Sequence, residues 1–185
     1  MRTWVDFEKL FRRKSEWGGC WCMIFQRPRP LSKREMERLG REQRAARNRQ
    51  DKKDLVKRGC SHGILVYSQG EPVGWCQYGP KEELPRIDAG RTYKNLPLDS
   101  GDKRLWRITC FWVDRRQRNR GVASAGLNAA LDSIRKKGGG LVEAYPAKHK
   151  GFPEDWFGTL SMFKHEGFEV VAPFGKSNVL VRRTI

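Results

Sequence analysis

The chain has 185 residues, enough for one domain with an ordinary core, and a mean hydropathy of −0.75. No apolar run approaches the ~18 residues of a membrane span, and Met1 to Trp4 leads into charged residues without the apolar core of a secretory leader, so a cytoplasmic protein off the membrane is expected. The formal net charge of +17 keeps nucleic acid or another acidic partner in view.

That charge is uneven. Residues 27–58 hold 13 Lys/Arg against 5 Asp/Glu, and residues 103–120 hold 7 against 1. The five cysteines are an odd number set in or beside apolar runs, which reads as reduced, mostly buried thiols. Cys20-x-Cys22 with Cys60 and His62 lacks the usual zinc spacing, so no metal is expected.

Trp4, Phe7, Leu10 and Phe11 recur at helical spacing, which predicts a short amphipathic helix over 3–13, within an N-terminal extension of residues 1–17. Gly18-Gly19 breaks the chain, and Cys20-Trp21-Cys22-Met23-Ile24-Phe25 reads as a first strand ended by Pro28 and Pro30. Ser32-x-x-Glu35 is a capping box, with Leu31 and Met36 spaced as a hydrophobic staple. A basic helical region over 31–58 follows, interrupted at Gly40 and capped at Arg58-Gly59. Apolar residues are sparse there, so most of it is expected to face solvent.

Residues 63–67 and 72–78 read as two strands joined by the turn Ser68-Gln69-Gly70-Glu71. Residues 79–104 read as a long polar loop, and long loops in compact domains are usually functional or mobile. A strand over 105–113 leads through a basic turn into a helix with small residues on one side, Val122 to Arg135. Residues 141–145 form a strand stopped by Pro146. A helix is expected to begin near Pro153-Glu154-Asp155 and carry Trp156, Phe157, Leu160 and Phe163 up to Gly167. Two strands, 168–171 and 179–181, close the chain.

Val113 to Ala123 is the stretch around which this order is arranged. A strand runs into a basic, glycine-containing turn and then a helix start, where unpaired N–H groups and the positive dipole end suit a phosphate. The spacing Arg118-x-x-Gly121-x-Ala123 resembles the R/Q-x-x-G-x-G/A signature of the GNAT superfamily of acyl-CoA N-acyltransferases. Met162 to Phe168 resembles the family's Y-x-x-x-G-F segment, and the order of elements over roughly 18–183 is the family's order. Residues 19–23, 71–76 and 142–146 further resemble a bacterial subgroup of undefined substrate.

The resemblance implies an α/β (α+β) GNAT fold: a central mixed, mostly antiparallel sheet flanked by helices and splayed between the fourth and fifth strands. It makes residues 1–185 one acetyltransferase domain, with 31–58 on the acceptor side. It implies acetyl-CoA as donor and CoA as product, with direct transfer to an amine of a small molecule or a protein. The backbone of Phe111, Trp112 and Val113 would pair with the pantetheine arm. Arg118, Asn119, Arg120, Gly121, Val122, Ala123 and Ser124 would hold the pyrophosphate, with Arg115 or Arg116 reaching the 3′-phosphate.

Proton handling falls to Glu143 and Tyr145, which alternation places on one face of their strand. A buried acid is costly unless paired, so Glu143 is either a general base or the partner of an arginine. The family's thiolate-protonating tyrosine is Phe163 here, which leaves Tyr145, Ser161 or water as the acid. His149 borders the proposed site in sequence, and His165 reads as solvated.

Two other functions stay open. A nucleic-acid-associated acetyltransferase acting on tRNA or aminoacyl-tRNA would use the basic helices, although no stacking aromatics are interleaved through 27–58. A non-catalytic CoA-binding regulatory module would explain Phe163. A monomer or a homodimer is expected.

Overall fold

Six strands form one open sheet flanked by helices in a computed structural model that describes residues 3–12, 19–98, 101, 103–148 and 155–185. The elements in chain order are α1 (Trp4–Arg12), α2 (Lys33–Lys57), β1 (His62–Ser68), β2 (Glu71–Pro80), α3 (Arg86–Ala89), α4 (Arg91–Lys94), β3 (Leu105–Val113), α5 (Val122–Lys136), β4 (Leu141–Ala144), α6 (Leu160–His165), β5 (Glu169–Phe174) and β6 (Asn178–Thr184). Spatially the strands run β1-β2-β3-β4-β6-β5. Only β3 and β4 are parallel, because α5 carries the chain back over one face between them.

The β1–β2 hairpin turns on Gln69 and Gly70, both left-handed (φ 50° and 76°), which matches the twist of the flanking strands. Close approaches at Gly63 and Gly74 require glycine. A Cβ on Gly63 would collide with the Trp75 ring, and one on Gly74 would strike Val122 at the start of α5. Gly74 thus lets β2 lie directly beneath that helix start.

The main core lies between the sheet and α5. Leu127, Ala130, Leu131 and Ile134 pack on Trp106, Ile108, Val142, Ala144 and Val181. Across the sheet, α1 buries Trp4, Phe7 and Leu10 against Trp21, Cys22, Met23 and Trp75. A third cluster gathers Ile87, Tyr145, Phe157 and Leu180 beneath the segment carrying α3 and α4.

Helix α2 begins at the expected capping box: Ser32 Oγ accepts from Glu35 N–H at 3.2 Å, and Ser32 N–H donates to the Glu35 carboxylate at 2.8 Å. Gly40 interrupts it (φ 62°, ψ 176°), and Arg58 caps its end. Lys52 is its one buried residue. Polar contacts hold the helix down: Asn48 donates to Gly19 O at 2.7 Å, Arg49 pairs with Glu8, and Arg27 pairs with Asp51.

Three expectations need correction. Residues 20–25 form turns, not a strand. Trp21 and Cys22 adopt left-handed φ of 50° and 51°, and this apolar run is buried as a tight turn against α1. Residues 79–104 are not one open loop: β2 extends to Pro80, and a 3-10 turn and two short helices follow. Trp156 and Phe157 do not share the helix of Phe163. Gly158 (φ 80°) separates them, and Thr159 caps α6 by accepting from Met162 N–H at 3.3 Å. Pro153, Glu154 and His149 lie outside the described residues.

Candidate active site

Strand β3 leaves β4 partway along its length. The parallel pairing runs from Leu105/Leu141 to Ile108/Ala144 and stops, while β3 continues to Val113. Because residues 20–25 form no strand, the expected splay between fourth and fifth strands falls between β3 and β4. The antiparallel register with β2 shifts at the same point, from Tyr78/Ile108 to Gln77/Cys110, so Thr109 is an extra bulged residue.

The bulge changes which side chains face which core. Phe111 joins Trp106 and Ile108 in the α5-side core, while Cys110 and Trp112 turn to the α1 side. Phe111, Trp112 and Val113 remain registered with β2 on one edge through Cys76, Trp75 and Gly74. Among the described residues no strand pairs with their other edge.

Beyond Val113 the chain makes a 3-10 turn over 115–117, capped by the Asp114 side chain accepting from Arg116 N–H at 3.0 Å. Asn119 (φ 59°) and Gly121 (φ 77°) are then left-handed, and Gly121 caps α5. Ala125 N–H makes the helix's first bond, to Gly121 O at 2.9 Å. The N–H groups of Val122, Ala123 and Ser124 precede it and have no intrahelical acceptor. Arg118, Asn119, Arg120, Gly121 and Ser124 are exposed, and Val122 and Ala123 are half-buried. A Cβ on Gly121 would meet nothing within 4 Å. The turn therefore offers several backbone donors, the positive end of a 15-residue helix and two arginines to one open space.

Glu143 sits on the other side of the divergence, fully buried. Arg107 stands opposite it across β3/β4 and Arg182 opposite it across β4/β6, so three neighbouring strands carry a row of alternating charge. Arg182 donates to Glu143 from Nε at 3.0 Å and from Nη2 at 2.7 Å, and Arg107 lies 3.5 Å away through Nε. The Tyr93 hydroxyl donates to the carboxylate at 2.9 Å and the Tyr145 hydroxyl at 2.9 Å.

Arg107 is completed by Asp88, through bonds of 2.8 and 2.5 Å, and by the face of the Tyr93 ring at 4.9 Å. Burial works against its charge, but the Asp88 carboxylate more than offsets this and holds the guanidinium above its ordinary value. Burial, with the Glu143 charge beside it, pushes the Tyr145 hydroxyl well up, so it stays a proton donor at neutral pH. Tyr145 and Glu143 meet, as their alternation suggests. The arginine pairing expected as one role of Glu143 is present twice over.

Phe163 is fully buried, its ring 6.1 Å from Phe111 and 5.1 Å from Phe168, so it belongs to the core face of β3. Ser161 is exposed beside Thr159, and His165 is exposed beside Glu166. Arg107, Arg182, Tyr93, Gln77 and Lys52 are absent from the sequence-derived candidates. Gln77 lies on β2 opposite the bulge; its carbonyl accepts from Thr109 at 3.3 Å, while its buried amide nitrogen has no partner among the described residues. A charged or amide residue inside a predicted apolar strand was the available signal for Arg107 and Gln77. Lys52 gave none, since it lies within a run of surface-type residues.

A strand released from its parallel neighbour at a bulge, followed by an open helix start, forms an open cleft in the sheet. The model of the Acetyltransferase (GNAT) family matches residues 24–150, and the chain belongs to that family. Among curated proteins none matches the sequence. The fold resembles that of a ribosomal-protein-alanine N-acetyltransferase from Brucella melitensis, 12% identical, over 99% of this chain and 96% of that one (TM-score 0.58). It also resembles the PaiA N-acetyltransferase of Thermoplasma acidophilum in complex with coenzyme A, 11% identical, over 100% and 94% (TM-score 0.54). A GNAT-family acetyltransferase from Bordetella pertussis is 16% identical over 97% and 90% (TM-score 0.53). Among the described residues, no helix is long and apolar enough to cross a membrane.

Proposed function

We propose that the protein is an acetyl-CoA-dependent N-acetyltransferase that passes the acetyl group directly to an amine. The observation that carries this reading is the continuity of the released edge of β3 with the open start of α5. A pantetheine arm laid along Phe111, Trp112 and Val113 leads its pyrophosphate to the N–H groups of 119–124. Arg118 and Arg120 add charge at the turn, where Gly121 leaves room for close approach.

The thioester then lies near the bulge, where released backbone N–H groups can stabilise an oxyanion. Gln77 supplies a further unused amide donor at that point. Glu143 has both carboxylate oxygens bonded, so it takes a substrate proton only by giving up a donor. In this reading Glu143 acts with Tyr145: the carboxylate orders Tyr93 and Tyr145 at the apex of the splay, and the Tyr145 hydroxyl is the acid assigned to the leaving thiolate. Helix α2 and the segment carrying α3 and α4 shape the acceptor side.

A panel of amines assayed by thiol release from acetyl-CoA tests the reading. CoA-dependent thermal stabilisation together with turnover of at least one amine supports it. Binding of CoA with no turnover across small amines, peptide N-termini and lysines would favour a non-catalytic CoA-binding module. Tight tRNA binding at physiological ionic strength would favour the nucleic-acid substrate.

A further inference from the structure

A second buried polar cluster borders β3 on the α1 side of the sheet. The tight turn at 19–26 places Trp21 and Cys22 consecutively in the left-handed region, which non-glycine residues avoid at a cost of about 1 kcal/mol or more each. This turn drops Cys22 beneath α1, where its Sγ lies 3.1 Å from Sγ of Cys110 on β3. Both thiols are free; Cys22 is buried and Cys110 is partly open. Lys52 reaches in from α2, fully buried. Its Nζ donates to Gln26 Oε1 at 2.6 Å and lies 5.5 and 5.8 Å from the rings of Trp75 and Phe7. Among the described residues no carboxylate pairs with it.

We propose that Cys22 and Cys110 form an oxidative modification site, a dithiol that hydrogen peroxide converts to an intrachain disulfide. Burial raises the Cys22 thiol, but the Cys110 thiol 3.1 Å away and the Lys52 ammonium outweigh burial and bring it below the ordinary value. The hydrogen bond shared with Cys22, and burial, push the Cys110 thiol well up. One sulfur is thus the nucleophile and its neighbour the resolving thiol, a pairing that suits peroxide chemistry.

The Cys22 thiolate attacks one peroxide oxygen. The O–O bond breaks, hydroxide leaves, and Cys22 becomes a sulfenic acid. The Cys110 sulfur then attacks the Cys22 sulfur; the S–O bond breaks, the oxygen leaves as water with the Cys110 proton, and the S–S bond forms. The hydroxide takes up the proton that Cys22 released, so two thiols lose two electrons and one peroxide becomes two waters. The sulfurs need to close by about 1 Å to reach disulfide bonding distance. The dithiol stands whether or not the neighbouring gap holds a thioester.

Cys60 provides an internal control, because it is exposed and free. The folded protein is titrated with hydrogen peroxide, free thiols are trapped with N-ethylmaleimide, and peptides are mapped by mass spectrometry. The proposal expects a loss of two hydrogens and a Cys22–Cys110 linked peptide at peroxide doses that leave Cys60 alkylatable. In Cys110→Ser, Cys22 is expected to stop at the sulfenic acid and to take up dimedone. Oxidation of Cys60 first, a bridge joining Cys22 to another cysteine, or a Cys22 that stays reduced throughout would overturn it. If Cys110→Ser does not fold, the wild-type map alone decides.

Discussion

Arg107 and Cys110 lie three residues apart on β3, and each opens onto a buried charged cluster of a different kind. Around Arg107 every charge has a counter-charge: Glu143 answers Arg107 and Arg182, and Asp88 answers Arg107 again. Around Cys110 the Lys52 ammonium has an amide oxygen, two ring faces and the neighbouring Cys22 sulfur, but no carboxylate among the described residues. The first cluster is saturated and cross-links three strands. The second is under-satisfied, and burial brings its lysine down to about 8. A saturated ionic cluster fixes geometry, whereas a buried charge without a carboxylate partner perturbs the groups beside it.

The largest expected effect is on the saturated side. Glu143→Leu leaves two arginines facing an apolar strand and is expected to cost about 3–5 kcal/mol in urea unfolding. A loss under about 1 kcal/mol would mean that the charge row does not hold the strands. Lys52→Met is expected to act in the opposite direction. It removes a charge the fold disfavours, and the shift from 10.5 to about 8 corresponds to a gain on the order of 3 kcal/mol at pH 7.

The pH dependence checks the same point. Between pH 8 and 10.5 the unfolded lysine holds a proton that the folded one has released, so wild-type stability gains from Lys52 as pH rises through that window. The difference between wild type and Lys52→Met should therefore shrink from pH 7 to pH 10.5. A constant difference would show that burial does not disfavour the Lys52 charge.

The saturated cluster was half legible in the sequence. An acid within the apolar run 141–145 marked Glu143, and period-two alternation put Tyr145 on its face. Its partners were not legible, because Arg107 and Arg182 meet it only through strand register, which depends on the parallel β3/β4 pairing. The Cys22–Lys52 cluster was illegible for two reasons. An apolar run of this length reads as a strand when it is a buried left-handed turn, and a lysine among surface residues gives no sign of burial. The turn at 118–124 was the most legible part, since its exposed backbone N–H groups follow from the strand–turn–helix order alone.

A smaller effect separates geometry from proton handling. Tyr145→Phe removes one of the donors to Glu143 and is expected to cost about 1–2 kcal/mol of stability. If Tyr145 also protonates the leaving thiolate, thiol release should slow at saturating acetyl-CoA with little change in KM. A change in KM alone would assign the residue to shaping the cleft. The smallest expected effect lies far from both clusters: Ser32→Ala, which opens the capping box of α2, should cost about 1 kcal/mol and leave peroxide sensitivity and CoA binding unchanged.

The central claim is that the turn from Arg118 to Ser124 holds the pyrophosphate of the acyl donor, and calorimetric titration of CoA tests it most directly. Gly121 sits at φ 77° facing open space, so Asn, which tolerates left-handed backbone, separates conformation from charge. The account predicts that wild type binds CoA, that Gly121→Asn retains most of the affinity, and that Gly121→Asp loses about tenfold or more through repulsion of the phosphates. Equal CoA affinity in wild type and Gly121→Asp, or no CoA binding by the folded wild-type protein, would contradict it.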